Sequence, residues 1–203
     1  MSETGPPTPA VRGRPPKNTA APRGREQVFA AAIDAATTLF AQRGIAAVSV
    51  REVAARAGVN AALVHRYVGG KQMLVKLVLI SLTDTMRGDL DAVAATRSRF
   101  LPPLSARALA TYERIVAHIV IEGLDIREFQ SDFPVIRRVI EEIRERAGVD
   151  SRTARCRAAQ IFALDLAVRL FEPVLRDAAG LSPEDTDDLH WRMRQLQAEI
   201  GGL

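Results

Sequence analysis

Basic side chains are concentrated in the first third of this sequence. Residues 1–76 contain eleven Arg or Lys and four acidic residues, whereas residues 77–203 contain seventeen basic and twenty acidic residues. Because Lys and Arg neutralise phosphates, charge concentrated at one end predicts a polyanionic partner at that end. A solvated charged surface explains the charge distribution equally well, so the charge alone does not decide between the two.

Residues suited to metal binding or nucleophilic catalysis are few and far apart. His65, His118 and His190 are widely separated, and Cys156 is the only cysteine, so an intrachain disulfide is excluded. An enzyme would need a paired nucleophile and base or a phosphate loop, and neither is visible. We therefore predict no catalytic site, no metal site and no cofactor.

The composition favours helices. Hydrophobic residues make up 47% of the chain and aromatic residues only 5%, while Ala, Leu, Arg and Glu, which form helices readily, are abundant. The first 25 residues lack the apolar stretch of a secretory signal, and the run from Leu77 to Leu82 is too short to span a bilayer. These features predict an all-α, soluble protein of the cytoplasm without a membrane partner.

Periodic apolar residues predict four helices after residue 24. The first begins at Arg25 and ends at Gly44. Ser49-Val50-Arg51-Glu52 is a capping box that starts a second helix, which Gly58 ends. Asn60 caps a third, short helix over about 61–68. Gly69-Gly70 separates it from a fourth, over about 72–87. Two short helices joined through A-G-V-N form a helix-turn-helix.

The sequence over residues 25–82 resembles the DNA-binding domain of the TetR family. The matching stretches are V-F-A-A-A-I-D-A-A-T-T-L-F-A-Q-R-G, V-S-V-R-E-V-A-A-R-A-G-V and L-V-H-R-Y-V-G-G-K-Q-M-L. The resemblance implies that the third helix lies in the major groove of a palindromic operator. It also implies that Arg51, Tyr67 and Lys71 contact phosphates and that His65 faces the DNA. The implied DNA-binding set is Ser49, Arg51, Asn60, Ala61, Ala62, Leu63, His65, Arg66, Tyr67 and Lys71.

The sequence departs from the family pattern at two places. Ala61-Ala62-Leu63 stands where the family often has Ser or Gly-Thr, and Gly69-Gly70 replaces the usual polar pair before the lysine. Base reading should therefore depend on apolar contact with thymine methyl groups and on His65 and Arg66.

The first 24 residues predict a disordered basic arm, because they are rich in proline and poor in large apolar side chains. Within this arm, Arg12-Gly13-Arg14-Pro15 resembles an AT-hook core. Such a core places Arg12 and Arg14 in the narrow minor groove of A·T tracts. A basic tail that binds DNA without reading sequence remains the alternative.

The remaining sequence, residues 83–203, predicts a helical domain for dimerisation and ligand binding. Helices are expected over about 105–123, 134–148, 151–179 and 183–200, with a loop over 125–132. The third of these is apolar on nearly all sides between residues 158 and 174, so it needs a partner on one face. By the architectural resemblance, the last two helices form a four-helix bundle in a homodimer. The predicted interface consists of Leu166, Leu170, Leu189, Met193, Leu196 and Ile200.

A small-molecule effector, mostly apolar, is expected among the C-terminal helices, and its binding should release the operator. Asp165 and Arg169 are four residues apart and should form a pair on their helix, with one of them facing the ligand as the alternative. The candidate lining residues are Met86, Phe100, Tyr112, His118, Phe129, Phe133, Phe162, Asp165 and Arg169.

Two alternative interpretations of the sequence remain beside a TetR-like regulator. V-A-A-R-A-G-V also resembles the helix-turn-helix of the LacI family, but that family begins with its motif and continues into an α/β domain, whereas here a helix precedes the motif and no strand pattern follows. An architectural protein that binds A·T-rich DNA without a ligand is the second.

Overall fold

The computed structural model describes residues 24–94 and 106–202. This part of the chain contains eight α-helices, two short 3₁₀ helices and no strand, so the predicted all-α class is confirmed. The helices are α1 (Arg25–Arg43), α2 (Val50–Ala57), α3 (Ala61–Tyr67), α4 (Lys71–Ala94), α5 (Ala106–Ile121), α6 (Pro134–Ala147), α7 (Ser151–Ala179) and α8 (Thr186–Gly201).

The caps predicted from the sequence around α2 and α3 are confirmed. The Ser49 side chain accepts a hydrogen bond from the Glu52 N–H, and the Glu52 carboxylate accepts one from the Ser49 N–H. Gly58 ends α2 in the left-handed conformation, with φ 68° and ψ 28°, which glycine adopts without steric cost. Asn60 Oδ1 accepts a hydrogen bond from the Ala62 N–H and begins α3. These local bonds fix the turn between the two helices.

The α1–α4 unit is organised around the apolar face of α1. Phe40 and Ala36 are fully buried, and they belong to one cluster with Val53 of α2, Val64 of α3 and Leu74 of α4. The same cluster includes Ile115 and Ile119 of α5. Because α5 supplies part of this core and contacts α1 and α4, the α1–α4 unit packs directly on a helix of the C-terminal part.

Several helix boundaries differ from the prediction. Helix α4 begins at Lys71 and continues to Ala94, beyond the expected end at about Arg87. Gly88 follows Arg87, and one glycine in a helix interior costs only about 1 kcal/mol, which the rest of the helix tolerates. The predicted loop over 125–132 contains a 3₁₀ helix, Ile126–Glu128. Helix α8 starts at Thr186, because residues 183–185 form a separate 3₁₀ turn.

Two smaller cores hold the C-terminal helices together. The first joins Met86 of α4, Leu109 of α5 and Val135 of α6. The second joins Ile143 of α6 to Ile161 of α7, with Ile200 of α8 packed against it. Within the described residues, no helix combines the length and apolar character needed to cross a membrane.

Candidate nucleic-acid interface and effector site

Helix α3 has a buried face and an exposed face. Val64 is fully buried and the capping residue Val68 nearly so, which anchors the helix on the α1–α4 core. Ala62, His65 and Arg66 are exposed on the other face. A short helix held by its apolar face and open on the opposite side has the geometry needed to enter a groove of DNA.

The remaining described members of the predicted DNA-binding set lie on α2, α3 and the start of α4, or at the N-caps of α2 and α3. Ala61, Leu63, Tyr67 and Lys71 are half-buried, and Arg51 is exposed in the first turn of α2. The Arg66 guanidinium lies 5.7 Å from the centroid of the Tyr67 ring, within cation–π range. The Ser49 hydroxyl and Asn60 Oδ1 serve as helix caps, so these two side chains position α2 and α3. Arg12 and Arg14 lie outside the described residues.

An ion pair fastens the first turn of α2 to the end of α1. Arg43 Nη1 lies 2.7 Å from Glu52 Oε1, and Arg43 Nη2 donates a hydrogen bond to the Ala47 carbonyl. The Ser49 N–H and the Arg43 guanidinium lower the pKa of Glu52 to about 2, so its carboxylate stays ionised in the capping box.

Residue Ala46, in the loop between α1 and α2, is bound from two helices. The Glu122 carboxylate, directly after α5, accepts a hydrogen bond from the Ala46 N–H at 2.8 Å. Lys71 Nζ, at the start of α4, donates one to the Ala46 carbonyl at 3.1 Å. Lys71, predicted as a phosphate contact, therefore also ties α4 to this loop.

Gly44 allows this close approach. Its φ is +83°, and a Cβ added there would clash with the Glu122 carboxylate and lie 2.9 Å from His118 Nδ1. His118 thus lies at the junction of α1 and α5. The contact with Glu122 was not predicted, because 76 residues separate Glu122 from Ala46 and no local pattern connects them.

The structure brings several of the predicted ligand residues together between α4, α5 and α7. Met86 is buried, and Tyr112 and Phe162 pack against its cluster. The Tyr112 hydroxyl donates a hydrogen bond to Gln130 Oε1 at 3.1 Å, and burial raises the pKa of Tyr112 to about 12. The predicted pair of Asp165 and Arg169 is confirmed by a hydrogen bond of 2.9 Å from Arg169 Nε.

Other predicted ligand residues lie apart from this group. Phe129 is buried in the same cluster as α1, and Phe133 caps the start of α6 with 36% of its surface exposed. Phe100 lies outside the described residues. Among the residues that the structure describes, no group of three or more His, Cys, Asp or Glu side chains is placed to hold a metal ion.

Glu113 is a buried acid that was not among the predicted site residues. It lies on α5 with 5% of its surface exposed, and its Oε2 is 3.1 Å from Arg169 Nε on α7. Burial, and then the neighbouring Asp165 carboxylate, raise the pKa of Glu113 to about 8. A sequence signal existed: Glu113 follows Leu109 by four residues and precedes Val116 by three, which places it on the apolar side of α5.

A helix-turn-helix with an exposed second helix, packed on a larger helical part, defines a DNA-binding transcriptional regulator, and the comparisons agree. Residues 32–78 match the model of the tetR family of bacterial regulatory proteins. The HTH-type transcriptional repressor Rv3405c of Mycobacterium tuberculosis is 36% identical over 179 residues, covering 88% of this chain and 92% of the relative. The chain belongs to the tetR family.

Two more distant similarities are consistent with this assignment. The HTH-type transcriptional regulator BetI of Rhizobium meliloti is 38% identical over 79 residues, which cover 39% of this chain and 38% of the relative. The crystal structure of an HlyIIR mutant protein carrying a GSSGSSG linker superposes with a TM-score of 0.50 at 17% identity. It covers 78% of this chain and 91% of that one. This last likeness concerns the fold alone.

The raised pKa of Glu113 predicts a pH-dependent stability. Folding raises this pKa above the unfolded value of about 4.5, so between pH 4.5 and 8 the folded state binds a proton that the unfolded state has lost. The resulting contribution to the free energy of unfolding is complete below pH 4.5 and is lost as pH rises towards 8. Glu113→Gln removes the titrating group. We therefore expect the free energy of unfolding of the wild type to fall, relative to this variant, by at least about 1 kcal/mol between pH 5 and 8.

Urea unfolding at fixed protein concentration measures this difference. Glu141→Gln, at an exposed position on α6, is the matched control and should follow the wild type. If the free energy of unfolding changed with pH in the same way for the wild type and Glu113→Gln, Glu113 would be ionised in the folded protein throughout this range, and the prediction would be wrong.

Proposed function

We propose that the protein is a homodimeric repressor that binds a palindromic operator and leaves it when a small molecule binds among the C-terminal helices. The observation that carries this proposal is the division of α3 into a face locked by Val64 and a face exposing His65 and Arg66. The family assignment and the name of the repressor Rv3405c support the same role.

In this proposal α3 occupies the major groove. His65 and Arg66 read base edges, while Ala61, Ala62 and Leu63 offer apolar contact to thymine methyl groups. Arg51, Tyr67 and Lys71 contact phosphates and fix the orientation of the helix without reading sequence. Arg12 and Arg14 extend the contact into a flanking minor groove. On this division of the chain, residues 1–24 are the arm, 25–82 the DNA-binding domain and 83–203 the effector and dimerisation domain.

Substitution of phosphate contacts should weaken binding to all DNA sequences. We expect Tyr67→Phe and Lys71→Ala both to lower operator affinity. Only Lys71→Ala, which removes a positive charge, should reduce the slope of log K against log salt, by up to about one. His65→Ala should instead change which operator bases matter. Fluorescence titration over a range of salt concentrations measures the slope. Titration of operators with single base-pair changes measures the effect of His65→Ala.

Lys76→Ala, on the same helix and with the same loss of charge, is the matched control and should leave the slope unchanged. Unaltered affinity and salt slope in the Lys71 variant would remove this residue from the DNA contacts.

The proposed dimer interface lies on α7 and α8. Large apolar side chains are exposed there, namely Phe171, Val174, Leu175, Trp191 and Leu196. Leu166, Leu170, Leu189 and Met193 are half-buried on the same two helices. Exposed apolar side chains concentrated on two adjacent helices support pairing with a second copy. Ile200 packs against the core of its own chain, so we leave it out of the interface.

Two valines of equal exposure test this interface. Val174 on α7 and Val120 on α5 are both 64% exposed. We expect Val174→Asp to dissociate the dimer, because its carboxylate would be desolvated at the contact, and Val120→Asp to leave the dimer intact. Sedimentation velocity distinguishes the two, and the monomeric variant should lose tight operator binding because two half-sites about 34 Å apart must be contacted together.

An intact dimer in the Val174 variant, or dissociation by the Val120 variant, would place the interface elsewhere.

The proposed switch uses both helices that contact residue Ala46. A ligand near Met86, Tyr112 and Phe162 would shift α4 or α5. The first residue of α4, Lys71, and the residue after α5, Glu122, both bind the loop that precedes α2. A small change in the position of that loop alters the separation of the two recognition helices in the dimer. Effector and operator would then oppose each other reciprocally, with a coupling of about 1–3 kcal/mol.

A further inference from the structure

We propose that Glu113, with Asp165 and Arg169, is the anchor for a cationic amine group, and that the effector is an amine with an apolar body. This inference rests on the proposed function, since it concerns the ligand that would release the operator. It replaces the expectation of a mostly apolar molecule with a specific chemical class.

Two carboxylates share one guanidinium in this cluster. Arg169 Nε donates its hydrogen bond to Asp165 Oδ2 at 2.9 Å, and the same nitrogen lies 3.1 Å from Glu113 Oε2. A single N–H cannot satisfy both acceptors well. With all three groups ionised, the cluster carries one uncompensated negative charge.

Glu113 is the more buried of the two acids, and it is the one that does not accept the Arg169 hydrogen bond. The Glu113 side chain is 6% exposed and the Asp165 side chain 25% exposed. Both Glu113 carboxylate oxygens are buried, and neither accepts a hydrogen bond from any residue that the structure describes. A buried carboxylate without donors is unfavourable, so a bound group that supplies N–H donors and positive charge would stabilise it.

When no ligand is bound, a proton on Glu113 neutralises its buried carboxylate. The raised pKa of Glu113 is consistent with a protonated carboxyl beside Asp165 at neutral pH. An ammonium group can take the place of that proton, since it brings the same charge and three N–H donors. An anionic group would add to the negative charge instead.

Apolar side chains lie within one helical turn of both acids and indicate the rest of the ligand. Leu109 precedes Glu113 by one helical turn, and Phe162 precedes Asp165 by about one turn on α7. Leu109 lies in the buried cluster with Met86, against which Tyr112 and Phe162 pack. Apolar walls with one charged anchor are typical of small-molecule sites.

Three compounds of one skeleton test the proposal. The probes are 4-phenylbutylamine, 4-phenylbutan-1-ol and 4-phenylbutanoate, titrated calorimetrically into the full-length protein at pH 9, where the Glu113 carboxyl is ionised and an alkyl amine is still protonated. We expect the wild type to bind the amine at least tenfold more tightly than the alcohol and to bind the carboxylate most weakly. A hydrogen bond to a charged group is worth about 1.5–3 kcal/mol, which is about tenfold or more in affinity.

The variants locate the anchor. Glu113→Gln, which keeps the shape of the side chain, should abolish the preference for the amine over the alcohol. Asp165→Asn should reduce the preference, and the exposed control Glu141→Gln should retain it. Equal affinity for amine and alcohol in the wild type, no binding of the amine, or an amine preference that persists in Glu113→Gln would each overturn the proposal.

Operator titration with the same probes separates this inference from the proposed function. An amine that binds through Glu113 but leaves operator affinity unchanged would contradict release by an effector at this site, while the amine site stands. Release by the neutral or anionic compound, without amine preference, would contradict the anchor and leave the effector-release proposal standing.

Discussion

Beside the apolar core that α5 shares with α1–α4, residue Ala46 ties the loop before the helix-turn-helix to α4 and to the end of α5. Its N–H is bound by Glu122 at the end of α5, and its carbonyl is bound by Lys71 at the start of α4. Gly44 permits the approach, because any side chain there would meet Glu122 and His118. The loop that leads into α2 is thus held from two sides, and the position of α3 depends on both helices.

Helix α5 connects this junction to the buried acid. Glu113 and Glu122 are nine residues apart, which corresponds to about 14 Å along a helix. Each makes its contact outside α5, Glu113 with Arg169 of α7 and Glu122 with the loop. In the proposed switch, a ligand that alters the contact between Glu113 and Arg169 moves α5 as a unit. Glu122, at the other end of α5, then moves the loop that leads into α2. Coupling then needs no change within α2 or α3 themselves.

Whether an interaction could be predicted from the sequence depends on how many residues separate its two partners. The Ser49–Glu52 box and the left-handed Gly58 use partners within four residues, so their residue types and spacing predict them. The Asp165–Arg169 pair is local in the same sense. The bond from Ala46 to Glu122 and the contact from Arg169 to Glu113 join distant segments. Both depend on how helices pack, which helical periodicity does not specify.

Amide hydrogen exchange at Ala46, followed by NMR, tests most directly whether α5 holds the α1–α2 loop. The wild type is compared with Glu122→Ala, which removes the acceptor, and with Glu122→Gln, whose side-chain oxygen still accepts. We expect exchange about tenfold faster in Glu122→Ala, as for loss of a hydrogen bond to a charged group, and close to wild type in Glu122→Gln. Unchanged exchange at Ala46 in Glu122→Ala would contradict this account of how the helix-turn-helix is held.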